Sequence, residues 1–132
     1  MAGSIIVLDT HTLLWWTQEA HLLSDQASAV LEEAAVVGIP AVVFWEISLL
    51  ARNESVALSG RLTAGEWSEL VLSIPRVRDL PLTARIAVQA DALRMHRDAA
   101  DRFIVSTAMH HEAPIVTRDE LLHDRAGVRT VW

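Results

Sequence analysis

The sequence predicts an α/β fold with a mostly parallel central sheet, and three features of the chain support this prediction. Short apolar runs of strand length recur along the chain, and they are continuous instead of alternating with polar residues, as in strands buried on both faces. Segments with helical periodicity separate these runs, as in successive strand, helix and strand units. The chain has 132 residues, of which 52% are apolar and 21% charged, so one compact domain covering residues 1–132 is expected.

The strands and helices are expected to alternate in order along the chain. Strands are predicted at residues 5–8, about 36–43, 77–80, 114–116 and 128–132. Helices are predicted from about residue 10 and at residues 24–35, 44–53, 63–72, 83–95 and 99–111. Ser24 and Thr83 are favourable residues for starting a helix, and Thr63 with Glu66 forms a capping box. These polar start signals place the beginnings of the helices to within a few residues.

The composition removes several classes of chemistry. The absence of cysteine excludes disulfides, thiol catalysis and thiolate zinc sites. All 11 cationic side chains are arginine, and the absence of lysine excludes a Walker-type phosphate loop and Schiff-base catalysis. A net charge of −6 argues against broad nonspecific binding of nucleic acid. A phosphate substrate would have to be bound by a metal ion and by local arginines such as Arg102 or Arg118.

The sequence shows neither the pattern of a membrane-spanning or signal segment nor the ligand spacing of a zinc site. No apolar stretch approaches the roughly 20 residues that a membrane-spanning helix needs, and residues 1–4 do not resemble the start of a signal peptide, so a cytoplasmic protein is expected. The six histidines do not have the spacing of zinc ligands, and zinc is not predicted.

Four carboxylates follow strand-length runs or begin a helical pattern, namely Asp9, Glu46, Asp101 and Asp119. If the runs are parallel strands, their carboxyl ends meet at the edge of the sheet where α/β proteins bind ligands. Such a cluster of carboxylates predicts a divalent cation with oxygen ligands.

Each carboxylate also has a structural explanation. Asp9 could cap the helix that begins near Thr10, and residues 117–120 could form a capping box that includes Asp119. Asp98 and Asp101 are three residues apart at a helix start, which suits an N-cap and a first-turn acid. Glu46 lies on the apolar side of its predicted helix, where its charge needs a metal ion, an arginine or a proton.

The tryptophans suggest a contact surface. Trp15 and Trp16 follow Leu13 and Leu14, and two consecutive indoles on a short helix cannot easily both face inward. This favours an interface over a base-stacking platform, with ordinary core packing as the alternative. The four residues are expected at or near a groove that receives an amphipathic segment of a partner.

Four segments in order carry a family resemblance: residues 7–11, 44–47, 96–108 and 115–119. Their order and spacing resemble a PIN-domain ribonuclease, and specifically the toxin subunit of a VapBC-type bacterial toxin–antitoxin pair. The resemblance covers essentially the whole chain. It rests on the four segments together, because no single one is specific.

The resemblance implies a three-layer α/β/α sandwich, Mg²⁺- or Mn²⁺-dependent endonuclease cleavage of RNA, a homodimer, and inhibition by a VapB-type antitoxin. By position, Asp9, Glu46, Asp101 and Asp119 would be the catalytic, metal-binding quartet, with Thr117 as a supporting hydroxyl. Asp9 and Asp101 would be the most direct metal ligands. Leu13, Trp15 and Trp16 would contact the antitoxin.

Two positions depart from the family pattern, and two other classes of protein stay open. Many relatives have asparagine or serine in place of His11, and a proline often stands in place of Ala99. A catalytically silent PIN-like module that binds RNA or protein is the main alternative. A flavodoxin-like or receiver-like module is disfavoured by the absence of lysine and of a Gly-rich phosphate loop.

Overall fold

The structure is a computed structural model that describes residues 4–95, 98–122 and 127–132. Within these ranges one parallel sheet contains five strands: β1 (Ile5–Leu8), β2 (Val36–Pro40), β3 (Val77–Leu80), β4 (Ile115–Val116) and β5 (Thr130–Val131). The strand order is β3-β2-β1-β4-β5. The chain therefore fills one side of β1 first and then crosses to the other side. Beside β1 this order creates the switch point at which open α/β sheets bind ligands.

Six α-helices lie in the same ranges: α1 (Thr10–Gln18), α2 (Asp25–Glu33), α3 (Ala41–Arg52), α4 (Ala64–Leu72), α5 (Ala84–Ala92) and α6 (Ala99–His110). The predicted start signals are confirmed. Ser24 and Thr83 accept hydrogen bonds from backbone N–H groups of their helices, and Thr63 and Glu66 form the capping box. None of the helices in the described ranges has the length and apolar character that a membrane crossing requires.

The sheet is covered on both faces. Consecutive residues of a strand point to opposite faces, and both Val7 and Leu8 are completely buried. The same holds in β4, where the consecutive residues Ile115 and Val116 have no exposed surface. Helices on both sides exclude water from the strands, so the expected three-layer α/β/α arrangement is confirmed.

The strand predicted at about residues 36–43 was too long. β2 ends at Pro40, and Ala41 begins α3. Val42 and Val43 are buried helix residues rather than strand residues. An apolar run that is buried in both elements has no periodicity to mark where one ends, and proline at the boundary has no N–H group to extend the strand ladder.

The four α1 residues expected at a partner surface differ in their burial. Leu13 and Leu14 are 0% and 4% exposed and belong to the core, so the prediction that they border a partner groove is wrong for these two residues. Trp15 and Trp16 are both half-buried and keep some surface in contact with solvent. The two indoles therefore do not both enter the core.

Candidate active site

The four predicted carboxylates come together around one cavity of about 620 Å³. Its lining residues are Asp9, Thr10, His11, Trp15, Glu46, Leu50, Asp101, Ile104, Arg118, Asp119 and Glu120. Asp9 follows β1 directly, and Asp119 lies three residues after the end of β4. The cavity therefore opens at the carboxyl ends of two neighbouring strands, at the switch point of the sheet.

Asp9 caps a helix and also lines the cavity. Its Oδ1 accepts a hydrogen bond from the backbone N–H of Thr12 at 3.0 Å, so Asp9 is the N-cap of α1. Its Oδ2 accepts a hydrogen bond from the hydroxyl of Thr117. Asp9 is only 8% exposed, but it still lines the cavity. These two hydrogen bonds fix the orientation of the Asp9 carboxylate and leave it in the lining of the cavity.

Thr117 links two of the acidic residues. While its hydroxyl donates to Asp9, it accepts a hydrogen bond from the backbone N–H of Asp119 at 3.0 Å. The predicted capping box at residues 117–120 is wrong, because the hydroxyl pairs with the N–H two residues ahead and residues 120–122 form a turn. Asp119 Oδ1 accepts from the N–H of Leu121 at 2.9 Å. Residues 123–126, including His123, lie outside the described residues.

Glu46 is positioned by a residue that sequence reasoning missed. The hydroxyl of Thr10 donates a hydrogen bond to Glu46 Oε1, which connects the start of α1 to the middle of α3. Burial raises the pKa of Glu46 above its ordinary value of 4.5, and the negative charges of Asp101 and Asp98 raise it further. The Thr10 hydrogen bond and His11 act in the opposite direction without reversing the shift. Deprotonating Glu46 therefore costs more in the folded protein than in the unfolded chain.

This shift predicts the effect of Glu46→Gln on stability. A folded-state pKa above the unfolded value means that the folded protein binds the proton more tightly, so stability falls as pH rises from 4.5 through the raised pKa. The glutamine carbonyl oxygen can still accept the Thr10 hydrogen bond. In EDTA at pH 7 the variant should melt at a higher temperature than the wild type.

Thermal melts across pH test this prediction. The difference between the two proteins should shrink as pH approaches 4.5. Glu32→Gln removes one negative charge from the exposed face of α2 and serves as the matched control. A pH-independent difference between Glu46→Gln and wild type would contradict the assigned cause.

Asp98 and Asp101 separate as their spacing predicted. Asp98 is the N-cap of α6, and its Oδ1 accepts from the backbone N–H of Asp101 at 2.9 Å. Asp101 stands in the first turn and lines the cavity, which Asp98 does not. His96 and Arg97, which precede them in the family-like segment, lie outside the described residues.

Arg102 and Arg118 have different surroundings. The guanidinium of Arg102 donates to three carbonyl oxygens at the end of α5 and just beyond it, those of Ala90, Leu93 and Met95, at 2.9–3.0 Å. These bonds tie the start of α6 to the end of α5 and give Arg102 a structural role instead of the phosphate contact considered for it. The exposed Arg118 lines the cavity. Its guanidinium carbon lies 5.9 Å from the ring centroid of Trp15.

The donor set fits a hard divalent cation. In the part of the chain that the structure describes, no group of three or more histidine, aspartate or glutamate side chains is arranged to hold a metal ion by itself. Mg²⁺ does not need such a set, since it keeps several waters and takes one or two carboxylates directly. Four carboxylates around one cavity supply only oxygen donors, which Mg²⁺ and Mn²⁺ prefer.

The sequence matches the PIN domain family over residues 6–128. This chain belongs to the PIN-domain family. Among curated proteins it is similar to ribonuclease VapC22 of Mycobacterium tuberculosis, with 32% identity over 131 residues that cover 96% of this chain and 98% of the relative. The family expected from four short segments is therefore confirmed.

Solved structures share the PIN fold. VapBC2 from Rickettsia felis, bound to a DNA fragment from its promoter, superposes with a TM-score of 0.69 at 14% identity and covers 96% of each chain. A toxin–antitoxin complex from Klebsiella pneumoniae superposes with a TM-score of 0.66 at 18% identity, over 93% of this chain and 94% of that one. At these identities the likeness establishes the fold.

Proposed function

We propose that this PIN-domain protein is a divalent-metal-dependent endoribonuclease that acts as the toxin of a toxin–antitoxin pair. The observation that carries the proposal is the single cavity lined by Asp9, Glu46, Asp101 and Asp119. A relative that is 32% identical over nearly the whole chain is named as a ribonuclease, which supports RNA as the substrate. All four carboxylates are present, so no observation favours a catalytically silent module.

The four carboxylates and two threonines of the site have different proposed roles. Asp9 and Asp101 would hold the cation directly, and Glu46 and Asp119 would hold its waters or a second ion. When bound, Mg²⁺ or Mn²⁺ would make a coordinated water more acidic and neutralise negative charge on the phosphate. The Thr117 hydroxyl donates a hydrogen bond to Asp9 and so orients that carboxylate. Thr10 orients Glu46 in the same way from the other wall.

A gel assay tests the activity directly. The purified protein is incubated with transfer, ribosomal and messenger RNAs, with and without Mn²⁺. Internal cleavage of at least one RNA in Mn²⁺, with 5′-phosphate and 3′-hydroxyl ends, is the expected result. Intact RNA in every reaction, with both Mn²⁺ and Mg²⁺, would favour the silent binding module instead.

The proposed partners are a VapB-type antitoxin and a second copy of this chain. The neighbours from Rickettsia felis and Klebsiella pneumoniae were solved as VapBC or toxin–antitoxin complexes, which supports the antitoxin. Trp16 is the clearer candidate for this contact, because it keeps exposed surface and does not line the cavity with the carboxylates.

Trp16→Ala should weaken binding of the antitoxin more than it weakens RNA cleavage. Removing a large, partly exposed ring takes apolar area from an interface, and leaves the carboxylates in place. Affinity for the antitoxin and cleavage rate are measured on the same preparation. Leu13→Ala provides the contrast, since a buried leucine truncated to alanine should cost about 2–5 kcal/mol of stability. Loss of folding in Trp16→Ala as well would place Trp16 in the core.

A further inference from the structure

The charges around the cavity leave RNA affinity unexplained. Five acidic residues line it: Asp9, Glu46, Asp101, Asp119 and Glu120. Among the described lining residues they face one guanidinium, that of Arg118. The whole chain carries a net charge of −6, and each nucleotide of RNA adds a further negative charge. Attraction between basic side chains and phosphates, the usual source of affinity, is therefore weak here.

One wall of the cavity offers a different source of binding energy. His11 and Trp15 both line the cavity, and their ring centroids are 5.8 Å apart. Trp132 contacts Trp15, with ring centroids 5.6 Å apart, and also packs against the core. Arg118 completes the group, with its guanidinium 5.9 Å from the Trp15 centroid. We call these four residues the aromatic wall.

We propose that the aromatic wall is a nucleobase subsite, in which a base next to the cleaved phosphodiester packs against His11 and Trp15. The inference rests on the proposed ribonuclease function. An indole, an imidazole and a guanidinium all present flat faces or edges that suit a base, and stacking tolerates any base sequence because every base has a π face. Arg118 would add a positive charge beside the neighbouring phosphate.

The position of the wall favours RNA over a protein segment as its occupant. His11 and Trp15 border the same cavity as the carboxylates, so a base that adjoins a phosphodiester at the acids would lie beside them. An antitoxin segment that fills the cavity is the competing occupant. Trp16, the next residue along α1, does not line the cavity and would not share this role.

The test measures binding instead of activity. Asp101→Asn is used as the parent protein in Mg²⁺ so that the strand stays intact. Fluorescence anisotropy is recorded with a short fluorescein-labelled single-stranded RNA of random sequence and with the same strand carrying abasic sites. Trp15→Ala should weaken binding of the RNA by about 5- to 150-fold and leave binding of the abasic strand unchanged. Trp15→Phe should retain most of the RNA affinity.

Two further variants control for folding and for surface aromatics. Trp15→Leu keeps apolar bulk against Trp132 but has no π face, so it should lose RNA affinity even if Trp15→Ala does not fold. Trp45 is 57% exposed on α3 and does not line the cavity, so Trp45→Ala should bind RNA like the parent.

Three results would overturn the subsite. The first is an RNA affinity that is unchanged in Trp15→Leu. The second is equal weakening of binding to the intact and the abasic strand. The third is a Trp15→Leu variant that loses affinity for the antitoxin but keeps its affinity for RNA. If one of these results is obtained and the wild type still cuts RNA, the subsite is wrong and the ribonuclease proposal stands. If the wild type cuts no RNA but the Trp15 variants still lose affinity for the intact strand and not for the abasic one, the ribonuclease proposal alone is wrong.

Discussion

Asp101→Asn is expected to lower RNA cleavage by about a hundredfold or more, whereas Asp98→Asn should keep most of the activity. Asp101 lines the cavity and is proposed to bind the metal ion directly, and asparagine removes its charge while keeping its volume. Asp98 accepts a hydrogen bond from the backbone N–H of Asp101 at 2.9 Å, and an asparagine oxygen can accept the same bond. Cleavage rates of both variants in Mn²⁺ provide the measurement.

Stability separates this prediction from a general loss of structure. A helix cap is worth about 0.5–2 kcal/mol, and asparagine caps nearly as well as aspartate, so both variants should melt close to the wild type. Asp98→Ala is the matched variant that loses the cap, and it should be less stable. An active Asp101→Asn together with an inactive Asp98→Asn would move the metal site by one helical turn.

Removal of divalent metal is the second change with a large expected effect. EDTA should abolish RNA cleavage, and Mn²⁺ should restore it. The carboxylates around the cavity repel one another, and a cation that binds only the folded protein stabilises it by about 2.7 kcal/mol at a hundred times its dissociation constant. The melting temperature should therefore rise with Mn²⁺ concentration.

The carboxylate variants identify where the ion acts. In Asp101→Asn the rise in melting temperature with Mn²⁺ should be much smaller, while Glu32→Gln on α2 should respond like the wild type. The same titration with Mg²⁺ compares the two candidate ions. The metal mechanism would be wrong if EDTA left both the melting temperature and RNA cleavage unchanged.

The sequence contained most of the information that places the carboxylates. β1 and β3 match their predicted bounds, and Asp98 is the N-cap that its spacing to Asp101 indicated. These features depend on local composition and on the rule that parallel strands end at one edge of a sheet. The end of β2 at Pro40 could not be located in the same way, because the apolar run continues unbroken into α3.

The supporting contacts could not be predicted, because they join residues with no local relation. Nothing in the sequence pairs Thr10 with Glu46, 36 residues away, or Arg102 with carbonyl oxygens on the preceding helix and loop. Leu13 was misassigned because an apolar residue beside two tryptophans suits a core and an interface equally well. Only the packing of α1 decides between them.

Three threonine hydroxyls join parts of the site that lie far apart in the sequence. Thr10 bonds to Glu46, Thr12 donates to the carbonyl of Val116 across 104 residues, and Thr117 donates to Asp9 across 108. Contacts between such distant residues form late in folding, because the intervening chain must first be closed into a loop. A chain still emerging from the ribosome has no β4 to dock beside β1, and its acids remain unassembled. Assembly of the four carboxylates into one site therefore has to wait until residues 115–119 have been synthesised.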